Sequence, residues 1–219
     1  MDIPIKYFGE LHQIKLINFT IDMDEVIRKV PEPLKIRSFN GRAMISMVDV
    51  HLKKMRPSFL PEALSFEYRH VAFRLLIDDS QYNDGPMKGI YFLQSFTDKP
   101  LIVFGGGLLT NYNLETATFK QEKECFRLQG MNHCLEYQLN AEKHKDLPKL
   151  KQSIAAIDRA YAVADGKVKV TQIQREKWPI QEVSCSRFET DFFKSARFEG
   201  AFEVKEVIHY QWLPPQNVK

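Results

Sequence analysis

Between Glu67 and Arg74 the chain reads Glu-Tyr-Arg-His-Val-Ala-Phe-Arg, a run dense in groups that can hold an acid or move a proton. In an extended strand successive side chains point to opposite faces. One face then carries Tyr68, His70, Ala72 and Arg74: a hydroxyl, an imidazole and a guanidinium, which together suit a carboxylate ligand. The other carries Glu67, Arg69, Val71 and Phe73, a carboxylate beside a cation. Which of the two lines an interior is open at this point, and an ordinary half-buried strand with its polar side in water accounts for the same alternation. Gln94 stands between Phe92 and Phe96, spaced to share one face, as a pocket does when it sets a few polar groups on apolar walls. A surface strand position explains Gln94 equally well.

Other chemistries find less support. Gly105-Gly106-Gly107 lacks the rest of a phosphate-binding fingerprint and fits a tight strand-to-helix turn better. The six histidines show no paired metal-ligand spacing, so neither a metal nor a cofactor is expected. Cys125, Cys134 and Cys185 make no C-x-x-C pair, and an odd count is a poor disulfide framework. Lys plus Arg number 31 against 28 Asp plus Glu, a net charge of +3, which gives no reason to expect a nucleic-acid or membrane partner. The basic run Lys53-Lys54-Met55-Arg56 reads as a solvated loop or strand end. No segment approaches the roughly 18 apolar residues that span a bilayer, and the start lacks the basic end and apolar run of a signal peptide. A cytoplasmic protein with a small-molecule partner is the expectation, with self-association left open.

Elements must position these groups. With 16 Phe, 8 Tyr and 44% hydrophobic residues, 219 residues suit one β-rich domain over 1–219. Strands are expected at Ala43–Val50, Phe66–Ile77, Gly89–Phe96, Leu101–Phe104, Thr118–Leu128, His133–Leu139, Lys167–Gln174, Val183–Phe188 and Phe202–Trp212, from their β-branched and aromatic content between Gly, Pro or Asn. Asp165-Gly166 is a hairpin signal. Asp22 with Glu25 offers a capping pattern for a helix from Asp24 to Lys29, halted by Pro31 and Pro33. A second helix is expected over Pro148–Tyr161, where Leu150, Ile154, Ile157 and Tyr161 share a face, and a short third after Gly107. Many strands and few helices suggest a curved sheet or barrel.

The segment Ile21–Ile36 (IDMDEVIRKVPEPLKI) resembles acetoacetate decarboxylases, in which a short helix leads into a Val-Pro-Glu-Pro-Leu turn. The likeness continues through Met87–Gly107, where a strand, an Asp-Lys-Pro turn and a second strand end in glycines. Within that superfamily the chain is more similar to the YqjF-like family of uncharacterised bacterial proteins. That likeness rests on the Pro-Glu-Pro-Leu turn, Asn40-Gly41-Arg42-Ala43, Arg56-Pro57, the Glu67–Arg74 strand, Gly89-Ile90-Tyr91-Phe92 and Trp178-Pro179-Ile180-Gln181. The resemblance implies a mainly β (α+β) fold: a cone-shaped β-barrel with a few short helices and a central, mostly apolar pocket.

It also implies a Schiff-base lysine, kept unprotonated by a second lysine beside it. The matching place here reads Leu108-Leu109-Thr110-Asn111-Tyr112-Asn113-Leu114-Glu115 and contains no lysine. The imine-forming position falls on Asn113 or Leu114, the family's substrate-side arginine near His12, and its glutamate near Tyr68 or Glu67. The pocket candidates are therefore His12, Glu67, Tyr68, His70, Arg74, Gln94, Tyr112 and Asn113. Three functions stay open: noncovalent binding of a small carbonyl or carboxylate compound, acid–base catalysis on such a compound, and Schiff-base chemistry on a relocated lysine, Lys120 or Lys88.

Overall fold

The computed structural model describes residues 5–103, 114–123, 125–140 and 147–218. The first half of the chain gives β1 (Tyr7–Ile21), α1 (Met23–Val26), β2 (Lys35–Ile36), β3 (Ser38–Phe39), β4 (Arg42–Pro57), β5 (Phe66–Asp78) and β6 (Gly89–Thr97). Four strands follow: β7 (Leu114–Thr116), β8 (Thr118–Glu122), β9 (Cys125–Gly130) and β10 (His133–Asn140). Then come α2 (Pro148–Ala155), β11 (Arg159–Ala164), β12 (Lys167–Arg175), β13 (Gln181–Thr190), β14 (Arg197–Val204), β15 (Ile208–Trp212) and β16 (Gln216–Asn217). The protein is mostly β. No described helix is long and apolar enough to cross a membrane.

Strand pairing runs β4–β5–β6–β11–β12–β15–β1 and returns to β4. The long strand β1 makes this return possible. Its Tyr7–Leu11 half pairs with β15, its Ile14–Thr20 half pairs with β14, and β4 lies along its other edge. From β14 a second branch continues through β13, β10, β9 and β8.

The strands β1, β4 and β5 are consequently buried on both faces. One face packs Leu16, Val48, Val50, Ala72 and Leu76 with Phe202 and the α2 residues Leu150 and Ile154. The other packs Ile17, Phe19, Met47, Phe73 and Phe96 with Tyr137. We refer to the first as the inner face of the β4–β15 circuit. Gly9 lies on it, and a side chain there would overlap Met55 Sδ and meet the Tyr210 ring at 2.9 Å.

Several local expectations are corrected. No strand was expected over residues 7–21, because the two-residue alternation breaks at Gln13, which has φ +53°, and the register against β4 slips between His12 and Lys15. Such a bulge flips parity midway, so Gly9 and Leu11 share a face with Ile14 and Leu16. The first helix is only α1 plus a 3-10 turn over Ile27–Lys29, and Asp22 makes no side-chain cap. Tertiary partners win both acids instead. Asp22 pairs with Arg42, while the Glu25 carboxylate accepts bonds from Lys194 N, Ser195 N and the Ser195 hydroxyl.

The helix from Pro148 stops at Ala155. Tyr161 instead joins β11, whose backbone is bonded on both edges, parallel to β6 and antiparallel to β12. Residues 100–103 are helical rather than extended, with Leu101 85% exposed. The stretch expected as one strand at Thr118–Leu128 is divided between β8 and β9, and Phe202–Trp212 between β14 and β15. The Asp165-Gly166 hairpin forms with φ +53° and +67°. The expected helix after Gly107 lies outside the described residues.

Candidate functional site

Cross-strand register decides the parity of β5. Tyr68 stands opposite Leu52, His70 opposite Val50, Ala72 opposite Val48 and Arg74 opposite Ser46. Directly opposed residues in a sheet point to the same side, so all four lie on the inner face, with the apolar side chains of β4. On β6, Phe92 opposes Arg74, Ser95 opposes Ala72 and Thr97 opposes His70. Across the circuit, β12 presents Arg175 beside Tyr210 of β15.

Arg74 is 6% exposed. Its Nε donates to the Ser46 carbonyl at 3.0 Å and an Nη to the Ser46 hydroxyl at 2.9 Å. Arg175 donates to the Ala155 and Ile157 carbonyls at 3.0 and 2.7 Å and lies 4.1 Å over the Trp178 ring. Among the described residues no carboxylate comes within ion-pair distance of either guanidinium. Burial, and then the charge of Arg175, push Arg74 down to about 9. Burial likewise takes Arg175 to about 10, against the opposing pull of Asp158.

Buried polar atoms on this face also lack partners: Tyr7 Oη, Asn18 Oδ1, Ser95 Oγ and Trp178 Nε1. Tyr68 and His70 are half-buried, with ring centroids 6.1 Å apart and planes tilted by 51°, and make no hydrogen bond among the described residues. Burial, then Tyr7, raises the Tyr68 hydroxyl above its ordinary range, so it stays a donor. Burial and then Arg74 lower His70 to about 4, so its imidazole is neutral at pH 7.

That shift makes a pH prediction. The unfolded chain takes up a proton near pH 6.5, whereas folded His70 resists until about 4. Stability from this group is present in full above pH 6.5 and is lost as pH falls toward 4, by at most about 3 kcal/mol. His70→Asn should flatten that part of the profile, read as urea midpoints at pH 7.5 and 4.5. Equal pH losses in both proteins would remove His70 from the interior.

The opposite face of the same strands is electrically closed. Arg69 opposes His51, and its guanidinium makes two bonds to buried Asp49, at 2.8 and 2.7 Å. Tyr137 donates its hydroxyl to Asp49 at 2.6 Å, and the Phe126 ring lies 4.4 Å from the Arg69 guanidinium. Burial alone would lower Arg69, but its bonds to Asp49 leave it raised; Tyr137 is raised by burial and then by Asp49.

The remaining candidates scatter. Glu67 is exposed. His12 opposes His51, hence faces the Arg69 side, and pairs with Glu10 at 3.0 Å. Gln94 does not share a face with Phe92: the register shifts between Phe73 and Arg74, so Gln94 opposes Phe73 and donates to Met131 Sδ. Tyr112 and Asn113 lie outside the described residues. Lys88 is tied to Asp158 at 2.9 Å and Lys120 is exposed.

Sequence reasoning missed Asn18, Ser46, Ser95 and Arg175. It also missed Lys169, which is 5% exposed, opposes Ala162 on the β12 face shared with Arg175, and reaches Asp165 at 3.8 Å. A polar residue inside a run apolar on both sides, as in Ile-Asn-Phe or Ile-Ser-Met, was the available signal.

A groove of about 710 Å³ is lined by Gly9, Arg175 and Tyr210 of the circuit together with the charged residues Glu10, Lys54 and Glu62. Its charges satisfy one another, with Lys54 held by Glu10 at 2.9 Å and Glu62 at 3.2 Å. Arg74 is not among the residues that line it.

Similar proteins bear on the fold. An acetoacetate decarboxylase-like enzyme from Sphingomonas wittichii RW1 superposes with a TM-score of 0.67 at 10% identity, covering 100% of this chain and 94% of that one. The enduracididine biosynthesis enzyme MppR, complexed with the condensation product of pyruvate and imidazole 4-carboxaldehyde, gives 0.61 at 9% identity, with 99% and 90% covered. An acetoacetate decarboxylase from Legionella pneumophila gives 0.59 at 11% identity, with 100% and 88% covered. At these identities the likeness establishes the fold alone. No curated protein matches the chain. A family model described as an uncharacterized conserved protein, DUF2071 (COG2071), matches residues 10–212, and the chain therefore belongs to that YqjF-like family, on an acetoacetate decarboxylase-like fold.

Proposed function

We propose that this protein binds a small organic carboxylate noncovalently, inside a cone-shaped barrel formed by the β4–β5–β6–β11–β12–β15–β1 circuit. The observation that carries the reading is Arg74, a buried guanidinium under the influence of a second one, Arg175, with no carboxylate paired to Arg74 among the described residues. An isolated buried charge is costly unless something pairs with it. A ligand carboxylate supplies that partner, and Arg74 supplies a charge-assisted bond in return. Tyr68 and neutral His70 lie farther along the same strand face, where they hydrogen-bond the rest of the ligand. Two solved structures of similar fold hold pyruvate or its condensation product, which supports a small carboxylate as the ligand class.

The placement of the candidate lysines supports noncovalent binding. The stretch 108–115 contains none, Lys88 is engaged by Asp158, and Lys120 is exposed. Trp178 and Trp212 both adjoin the inner face and report on its contents. Titration with pyruvate, acetoacetate and propionate should give saturable fluorescence changes that the matching amides do not, and borohydride should trap no adduct. A stoichiometric adduct would overturn the noncovalent reading and direct attention to Lys169. Failure of every carboxylate to bind would overturn the ligand class.

A further inference from the structure

We propose that the ligand carries a hydrogen-bond donor beside its carboxylate, which makes it a 2-hydroxy or 2-amino acid rather than a 2-oxo acid; this rests on the carboxylate reading above. The residue that requires a donor is Asn18. It is fully buried on the inner face of β1, in one cross-strand row with Ser46 of β4 and Arg74 of β5.

The orientation of its amide is set by its neighbours. Nδ2 donates to the Gly200 carbonyl at 3.1 Å and the Leu16 carbonyl at 3.4 Å. Turning the amide over would aim Oδ1 at two carbonyl oxygens, so both donors are committed and Oδ1 is left as an acceptor. That oxygen is buried and has no partner. A buried acceptor left unsatisfied is expensive, by more than the net value of the bond it lacks.

Arg74 brings the carboxylate site next to it. Its side chain crosses to the neighbouring strand, bonding both the carbonyl and the hydroxyl of Ser46, and so carries the guanidinium toward Asn18. Adjacent strands lie about 4.8 Å apart, a spacing that a carboxylate and its own 2-substituent span. Ser95, which opposes Ala72 one step along the sheet, has a buried hydroxyl without a partner. A hydroxyl can donate or accept and selects nothing, whereas the Asn18 oxygen can only accept. A keto oxygen also only accepts, so it leaves Asn18 unsatisfied; a hydroxyl or an ammonium satisfies it.

The test uses four acids with one carbon skeleton: 4-methylpentanoate, 4-methyl-2-oxopentanoate, both enantiomers of 2-hydroxy-4-methylpentanoate, and both enantiomers of leucine. Calorimetric titration at pH 7.5 should show a hydroxy or amino acid binding at least about tenfold tighter than the oxo and unsubstituted acids. In Asn18→Leu that preference should collapse while binding of the unsubstituted acid persists. Should this variant not fold, the wild-type ranking decides alone. Equal affinity for all four, or tightest binding of the oxo acid, would overturn this inference and leave the carboxylate site standing. Absence of binding by every acid would overturn both.

Discussion

Asp49→Asn should lower the unfolding free energy by about 3–5 kcal/mol, the cost typical of removing one partner from a buried ion pair. Asp49 is 1% exposed and is the shared acceptor of two Arg69 nitrogens and the Tyr137 hydroxyl. An amide of the same shape accepts through one oxygen only, so it cannot hold both Arg69 nitrogens and Tyr137 as acceptor, and it has no charge to set against the guanidinium. Arg69 cannot escape to water easily, because Phe119 and Phe126 pack against its guanidinium at 5.7 and 4.4 Å. Urea unfolding at pH 7.5 measures the loss. Tyr137→Phe, which removes one hydrogen bond and no charge, should cost only about 1–2 kcal/mol. A loss under about 1 kcal/mol for Asp49→Asn would mean that the pair behaves as an exposed one.

How much of this was legible in the residues depends on one property: β1, β4 and β5 are covered on both faces. The β5 strand itself was plain from Phe66 to Ile77. Its parity was not, because Tyr68-His70-Arg74 and Arg69-Val71-Phe73 each mix cations with large apolar groups, and only register against β4 distinguishes the sides. Alternation fails where a bulge intervenes. The slip between Phe73 and Arg74 separates Phe92 from Gln94, and the turn at Gln13 hides β1 altogether. Conversely, Asn18, Ser46 and Asp49 interrupt runs that are otherwise apolar on both sides. A polar residue in such a run must find a partner or await one. Asp49 has found its partners, while the Asn18 oxygen has none. The family model covers residues 10–212; of the positions that the likeness implied, Tyr68 lies on the inner face, while His12 and Glu67 point away from it.

Arg74→Met should have the opposite signature: little or no loss of stability, and loss of carboxylate affinity by roughly a thousandfold, about 4 kcal/mol. Arg74 sits five residues from Arg69 on the same strand, also as a buried guanidinium, but it lacks an acid. Holding its pKa at about 9 rather than 12.5 costs folding on the order of 5 kcal/mol at neutral pH. The sign follows from the depressed value: the folded chain binds the proton less tightly, so the penalty is full below pH 9 and is relieved between 9 and 12.5. The two charge-assisted bonds to Ser46 return about 3–6 kcal/mol, so bonds and charge cost nearly cancel. Methionine keeps much of the volume without the charge, so the variant should melt within about 1 kcal/mol of the wild type or above it. A group that adds little to the empty fold and strengthens binding is one retained for its ligand. Strong destabilisation by Arg74→Met, of the size expected for Asp49→Asn, would instead make Arg74 a structural cation and remove the ground for a carboxylate site.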